Sequence, residues 1–451
     1  MGSSETQGQR GEKMAGLTAE LKSQGVRYVR FVWCDNANVL RAKVVPIDFL
    51  RDAYQRGVGI SFAQQAVPVV RDAFVAESGL GPVGEARLVG DWGSLVQLPY
   101  FPGHARVIGN MYVKGQPWAH CPRAFLNKMV QKAHSLGLQI QAAFENEFYF
   151  LKQTPSGFAP LDDTLFCSVR GLNESLALIT EVVEELDDQG SEVVGFHTES
   201  GGGQMEVSVN HRPPMRAADQ QVTIRETVHA VAHRNGLLAT FLPKPFPERA
   251  GSGCHIHLSL WSDGQNITDI DPKGNPTSSH FAAGILKHLP ALMAITTPTI
   301  NSFSRIGRHL WSGGFACWGY DNREAALRMP TTPYGVRHFE VKTHDATANP
   351  YLALGALLAA GLDGVENKLE LAEPVDIDPG LLSDAERKKK KIKELPSDLK
   401  SVLKNLEKCE VLKEAMGEEL HRSYLAVKGE ELATTSELNP EEQVAMLLQS
   451  Y

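Results

Sequence analysis

Apolar and polar residues alternate over residues 26–33 and again over 39–45, with the polar turn 35–38 between them. Period-two alternation on either side of a turn predicts two strands, and the helical spacing over 18–25 places a short helix before them. A stretch bearing Gly and Pro follows, and Pro117 to Pro122 then precede an amphipathic helix over 123–136. Further strands are predicted over about 140–151, 203–209, 253–261 and 336–343, interleaved with helices over 171–189 and 216–235. From Leu395 onward the apolar positions Leu399, Val402, Leu403 and Leu406 recur at helical spacing. The pattern gives an α+β chain in three parts: a polar, disordered tail over 1–15, a small domain over 16–114 and a large one over 115–451.

Composition narrows the class. A hydrophobic fraction of 42% and a charged fraction of 22% are those of a globular protein, and a net charge of −8 argues against a general grip on nucleic acid. The basic run Arg387 to Lys391 is then read as a solvated loop. The six cysteines are scattered with no CxxC pair, which fits a reducing, cytoplasmic setting. The first fourteen residues lack an apolar core for a secretory signal, although Gly2 with Thr6 matches the loose N-myristoylation pattern. The most apolar stretch, 281–300, is interrupted by Lys287, His288, Pro290 and Pro298, so it is expected as a buried helix pair and no membrane partner is expected.

Four segments carry candidate chemistry. In AAFENEFYFL, Glu145 and Glu147 share one sheet face while Phe144, Phe148 and Phe150 back the other. HTESGGGQMEV adds Glu199 ahead of three glycines and Glu206 on a strand, with Gln204 on the face of Glu206. GSGCHIHLSLW sets His255, His257 and Ser259 on one face, and HFEVK does the same for His338, Glu340 and Lys342. Each segment alone also fits a structural role: a solvated face for the first two, hydrogen-bonded core histidines for the third and an exposed ion-paired edge for the fourth. Together Glu145, Glu147, Glu199, Glu206 and Glu340 with His255 and His257 form an oxygen-rich set suited to Mg²⁺ or Mn²⁺. Such ions and nearby arginines, here Arg305, Arg323 and Arg328, are the parts that phosphoryl transfer requires.

In this order, ENEF, HTESGGGQME, LPKPFPERAGSGCHIHLSL, NSFSRI, NREAALR, FEVK and ANPY resemble the glutamine synthetase family from about residue 17 to about 430. The opening VRYVRFVWCDNANVLRAKVVP is similar to the small β-grasp domain that precedes that family's catalytic domain, a curved antiparallel sheet with flanking helices. The segment WSGGFACWGYDNREAALRMP most resembles the subgroup of plants and fungi in which this domain follows an amidohydrolase-like half, a half not represented in this sequence. The resemblance implies an ATP-dependent ligase that activates the γ-carboxylate of glutamate as an acyl phosphate and joins it to ammonia or another amine. It implies that Glu147, Glu199 and Glu206 hold one metal and that Glu145, His255 and Glu340 hold a second. By the same matching, His257, Ser259 and Arg328 face the nucleotide, Gly251, Arg305 and Lys342 meet glutamate, and Arg323 stabilises the transferred phosphoryl group. The assembly it implies is a homo-oligomeric ring.

The amine side departs from the family pattern. Relatives that use ammonia carry an aspartate and a flap glutamate at positions that fall near Ser61 and Trp311 here. Ala250 replaces the usual asparagine before GSG, and Lys342 replaces an arginine, losing its bidentate fork. Ammonia and a bulkier amine therefore both stand as acceptors, and a catalytically inactive sensor or scaffold is the alternative class.

Overall fold

The structure, a computed structural model, describes residues 7–155, 157–270 and 276–451. The Gly2 and Thr6 pattern lies outside them. The chain opens with a helix at Gln7–Ser23, so the region expected as a disordered tail is helical from Gln7. Met14, in that polar stretch, is buried with Leu21 two turns on, and this burial holds the helix against the first domain.

The first domain is a sheet in the order Leu40–Pro46, Tyr28–Cys34, His104–Val113, Glu85–Gln97, Val58–Ser61. Its pairings are antiparallel except for the parallel pair of Tyr28–Cys34 with His104–Val113. The turn between the first two strands is fastened by Asp35, whose carboxylate accepts from the backbone of Ala37 and Val39 and pairs with Arg41 at 2.6 Å.

The second domain is built on one long sheet. From one edge its order is Lys393–Glu394, Phe315–Tyr320, Ala325–Met329, Phe339–Val341, Cys254–Ser262, Gln139–Thr154, Gln204–Val209, Val193–Thr198. All of these pairings are antiparallel except Phe315–Tyr320 with Ala325–Met329. Phe144, Phe148 and Phe150 point from the central strand into the main core, beneath helices Pro122–Ser135, Val169–Asp188 and Pro214–Arg234. The α+β architecture, with a small sheet domain ahead of a large catalytic-type sheet, is the one expected.

Two local expectations are corrected. The stretch expected as a helix pair is a single helix, Thr277–Thr296, with Pro290 inside it. One missing backbone bond is outweighed by burial of both flanks against helix Pro350–Glu366, where Gly284 and Gly364 let the backbones touch. The basic run is likewise not all solvated loop. It ends the short helix Asp384–Lys389, capped reciprocally by Ser383 and Glu386, and Arg387 is buried with its guanidinium 5.6 Å from the Phe315 ring centre. Among the described residues no helix is long and apolar enough to cross a membrane, and all six cysteines are free thiols.

Candidate functional site

The register of the long sheet assembles the site. Residues directly opposite one another on paired strands share a face, and here Glu145 opposes His255, Glu147 opposes Glu206, Glu206 opposes His197, His257 opposes Glu340, and Glu340 opposes Arg328. Six strands thus bring their polar positions to one surface while the alternate positions fill the core. Glycine is required beside it: a side chain at Gly253 would strike the His255 ring, and one at Gly251 would strike Arg305.

Glu145, His255 and Glu340 each offer a ligand atom within 4.8 Å of the others. His255 Nδ1 lies 2.9 Å from Glu145 and 3.3 Å from Glu340. A second group has the same closeness but a different membership from the one expected, because His197 joins Glu199 and Glu206. Its Nε2 is 3.1 Å from Glu199 and its Nδ1 is 3.8 Å from Glu206. Glu147, expected with these two, stands opposite Glu206 and accepts hydrogen bonds from the backbone N–H of Gly253 at 3.0 Å and the amide of Gln204 at 3.3 Å. His197 was legible in principle, since it precedes Glu199 by two positions on one strand.

The electrostatics are those of too many acids in one place. Burial, reinforced by Glu145, Glu147 and Glu199, pushes the Glu206 carboxyl up to about 10. Burial raises Glu147 as well. Against the same burial, hydrogen bonds from His255 and His257 hold Glu145 well below the usual carboxylate range. Glu340 is held low by His255 and Lys342. His255 is raised despite burial and Lys342, through its bonds to Glu145 and Glu340, and His197 is raised by its bond to Glu199. A face that keeps one acid protonated and ties others to imidazoles matches the donor set of divalent cations.

The remaining predicted residues fall around this face. Glu340 and Lys342 were also compatible with an exposed, ion-paired edge; both are 1% exposed, with Lys342 Nζ 3.0 Å from Glu340. Arg328 donates to the other Glu340 oxygen at 2.9 Å. His257 packs on His338 with ring centres 4.9 Å apart, and Ser259 Oγ accepts from the Trp261 indole at 2.9 Å. Arg305, expected at glutamate, is buried, and its guanidinium donates to the carbonyl oxygens of Lys342, Thr343 and His344. The Gly251 carbonyl accepts from Gln204 at 3.0 Å.

Arg323 is exposed, 5.5 Å above the ring of Trp311. That tryptophan is 60% exposed on a turn where it and His309 both have positive φ, 55° and 58°. Sequence reasoning missed what holds the turn: the Glu324 carboxylate accepts from the backbone N–H of His309 at 3.1 Å and of Trp311 at 2.8 Å. Ser61 lies at the end of Val58–Ser61 in the first domain and caps the following short turn with Gln64.

A small sheet domain leading into a long antiparallel sheet with an acid-lined face defines the class, and comparison with known proteins gives the family. The glutamine synthetase catalytic domain matches residues 119–446, and the glutamine synthetase N-terminal domain matches 14–118. The type-1 glutamine synthetase 1 of Dictyostelium discoideum is 29% identical, over 95% of this chain and 91% of its own. A gamma-glutamylpolyamine synthetase of Streptomyces coelicolor is 35% identical, over 92% of each. The solved structure of GmaS with ADP superposes with a TM-score of 0.84 at 28% identity, covering 95% of this chain and 98% of that one. The chain belongs to the glutamine synthetase family, a family of ligases that use ATP and divalent metal ions.

Proposed function

We propose that this protein is an ATP-dependent glutamate–amine ligase whose acceptor is an organic amine larger than ammonia. The observation that carries the acceptor is Trp311: an exposed aromatic ring, fixed on its turn by Glu324, stands where ammonia-using relatives are expected to hold a glutamate. An aromatic face attracts an alkylammonium group through cation–π contact and its chain through burial, whereas ammonium needs carboxylates around it. The gamma-glutamylpolyamine synthetase among the relatives supports the same direction.

In this reading Glu145, His255 and Glu340 hold one Mg²⁺ or Mn²⁺ ion, and Glu147, Glu199 and Glu206 hold another with His197 beside them. The ions, when bound, neutralise phosphate oxygens as the γ-phosphoryl group passes from ATP to the glutamate carboxylate. His257, Ser259 and Arg328 bind the nucleotide. Arg323, free of any carboxylate ion pair among the described residues, is placed to meet developing phosphoryl charge. Gly251 and Lys342 bind glutamate, and Arg305 acts by fixing the 342–344 backbone. A homo-oligomeric ring would bring the Ser61 edge to a neighbouring site, and the cytoplasm is the expected location.

Phosphate release by the purified protein with ATP, Mn²⁺ and L-glutamate tests the proposal, comparing ammonium with diamines, polyamines and alkylamines. Stimulation by organic amines and not by ammonium is expected. Equal or stronger stimulation by ammonium refutes the acceptor, and no release from folded, metal-loaded protein refutes ligase activity.

A further inference from the structure

A crevice between the two domains collects buried polar atoms that nothing in the fold satisfies. Gln220, on helix Pro214–Arg234, is 5% exposed, and neither its amide nitrogen nor its carbonyl oxygen has a partner. Arg106, on strand His104–Val113, is 2% exposed; its terminal nitrogens reach Glu226 and Thr223, but its Nε–H has no acceptor. Gln189 is 7% exposed and donates to Glu185 and Thr227, leaving its carbonyl oxygen unpaired. All three line one cavity of about 140 Å³, which Gly93 and Ser94 line from the first domain. Left bare, each such atom forfeits the hydrogen bond it would make to water, so the cavity is built to be filled.

Its charge is also specific. Arg216, on the rim, is offset by Asp91 and Asp219. Arg212 donates to the Gly190 carbonyl and has no carboxylate partner among the described residues. The lining thus offers one uncompensated guanidinium and two unpaired N–H donor groups on Arg106 and Gln220. The same lining residues carry two unpaired acceptors, the carbonyl oxygens of Gln189 and Gln220. A simple anion would leave the acceptors unmet and a simple cation would leave the donors unmet. The complement carries a carboxylate and N–H donors together, and a cavity near 140 Å³ admits about six to ten non-hydrogen atoms.

We propose that this interdomain crevice is a second small-molecule site that takes a free α-amino acid between alanine and glutamine in size. Its carboxylate meets Arg212, Arg106 Nε and the Gln220 amide. Its ammonium or side-chain amide donates to the carbonyl oxygens of Gln220 and Gln189. The crevice shares no residue with the acid-lined face, so this proposal stands whichever amine the ligase uses.

Calorimetric titration of the full chain with L-alanine and L-glutamine tests it, with acetate and inorganic phosphate as controls. Millimolar binding of an amino acid is expected, weakened at least about tenfold in Gln220→Leu and in Arg212→Ala and unchanged in Glu147→Gln. Arg212 is half-buried, so its variant keeps the test open if Gln220→Leu does not fold. No binding of either amino acid to folded protein overturns the proposal and leaves a water-filled cavity. Acetate or phosphate binding as tight as an amino acid also overturns it, in favour of a plain anion site. So does amino-acid binding that is lost in Glu147→Gln but kept in both crevice variants.

Discussion

Metal binding should expel a proton held by Glu206. With no ion on the acid-lined face, burial and the charges of Glu145, Glu147 and Glu199 push this carboxyl up to about 10, so at pH 7 it carries a proton. A ligating carboxylate must be ionised. Three pH units correspond to about 4 kcal/mol that the cation has to overcome at this one group. Because the raised value lies above the working range, the apparent affinity for Mn²⁺ should rise about tenfold per pH unit between pH 6 and 8 through Glu206 alone. Glu145 and Glu340, already held well below the usual range, add nothing to that slope.

The assay is calorimetric titration of Mn²⁺ at pH 7 in buffers with different ionisation enthalpies. The dependence of the observed heat on the buffer gives the number of protons released. His197 and His255, both raised, contribute fractions of their own. The diagnostic quantity is therefore the difference between the wild type and Glu206→Gln, which should be about one proton. Equal release from both proteins, or none from the wild type, would refute the claim that crowded carboxylates keep Glu206 protonated.

Trp311→Ala is expected to raise KM for an organic amine about tenfold, ~1.4 kcal/mol, while leaving Mn²⁺ binding unchanged in the same titration. Gly364→Ala should lower stability by about 1–3 kcal/mol in chemical denaturation, because a Cβ there collides with the His280 carbonyl and comes within 2.8 Å of Gly284. His120, buried beside Ser423 and Arg422, has its imidazole pushed down to about 4 by burial first and Arg422 second. A folded pKa below the unfolded one favours the neutral folded form, so its contribution is complete above about pH 6.5 and is lost as pH falls towards 4. Between pH 7 and 5.5 the wild type should therefore lose about 1.3 kcal/mol more than His120→Asn, as read from denaturation midpoints at the two pH values.

The sequence revealed which residues would share a face and could not reveal which would touch. Alternation put Glu145 and Glu147 together, and likewise His255 with His257 and Glu340 with Lys342, because the side-chain period of a strand is local and fixed. Contact between strands depends on register, which long-range packing decides. It set Glu206 opposite both Glu147 and His197, and so gave Glu199 and Glu206 an imidazole neighbour that a list of acids did not contain. Arg305 shows the other limit. Its motif marked it as important, but only the fold shows its donors pointed at the carbonyls of residues 342–344, the backbone that leads out of the strand bearing Glu340. Pro290 and Met14 mark where local propensity lost to burial: one was expected to break a helix and the other to sit in a tail, and each is kept in helix by packing, Pro290 through its buried neighbours Leu289 and Ala291 and Met14 through its own burial. Errors of both kinds follow from the same cause, that a residue's neighbours in space outweigh its neighbours in sequence wherever enough apolar surface is buried. The acid-lined face is the instructive exception. There the same packing holds like charges together at a cost in stability, and that arrangement has a physical reason only if a cation is to be bound.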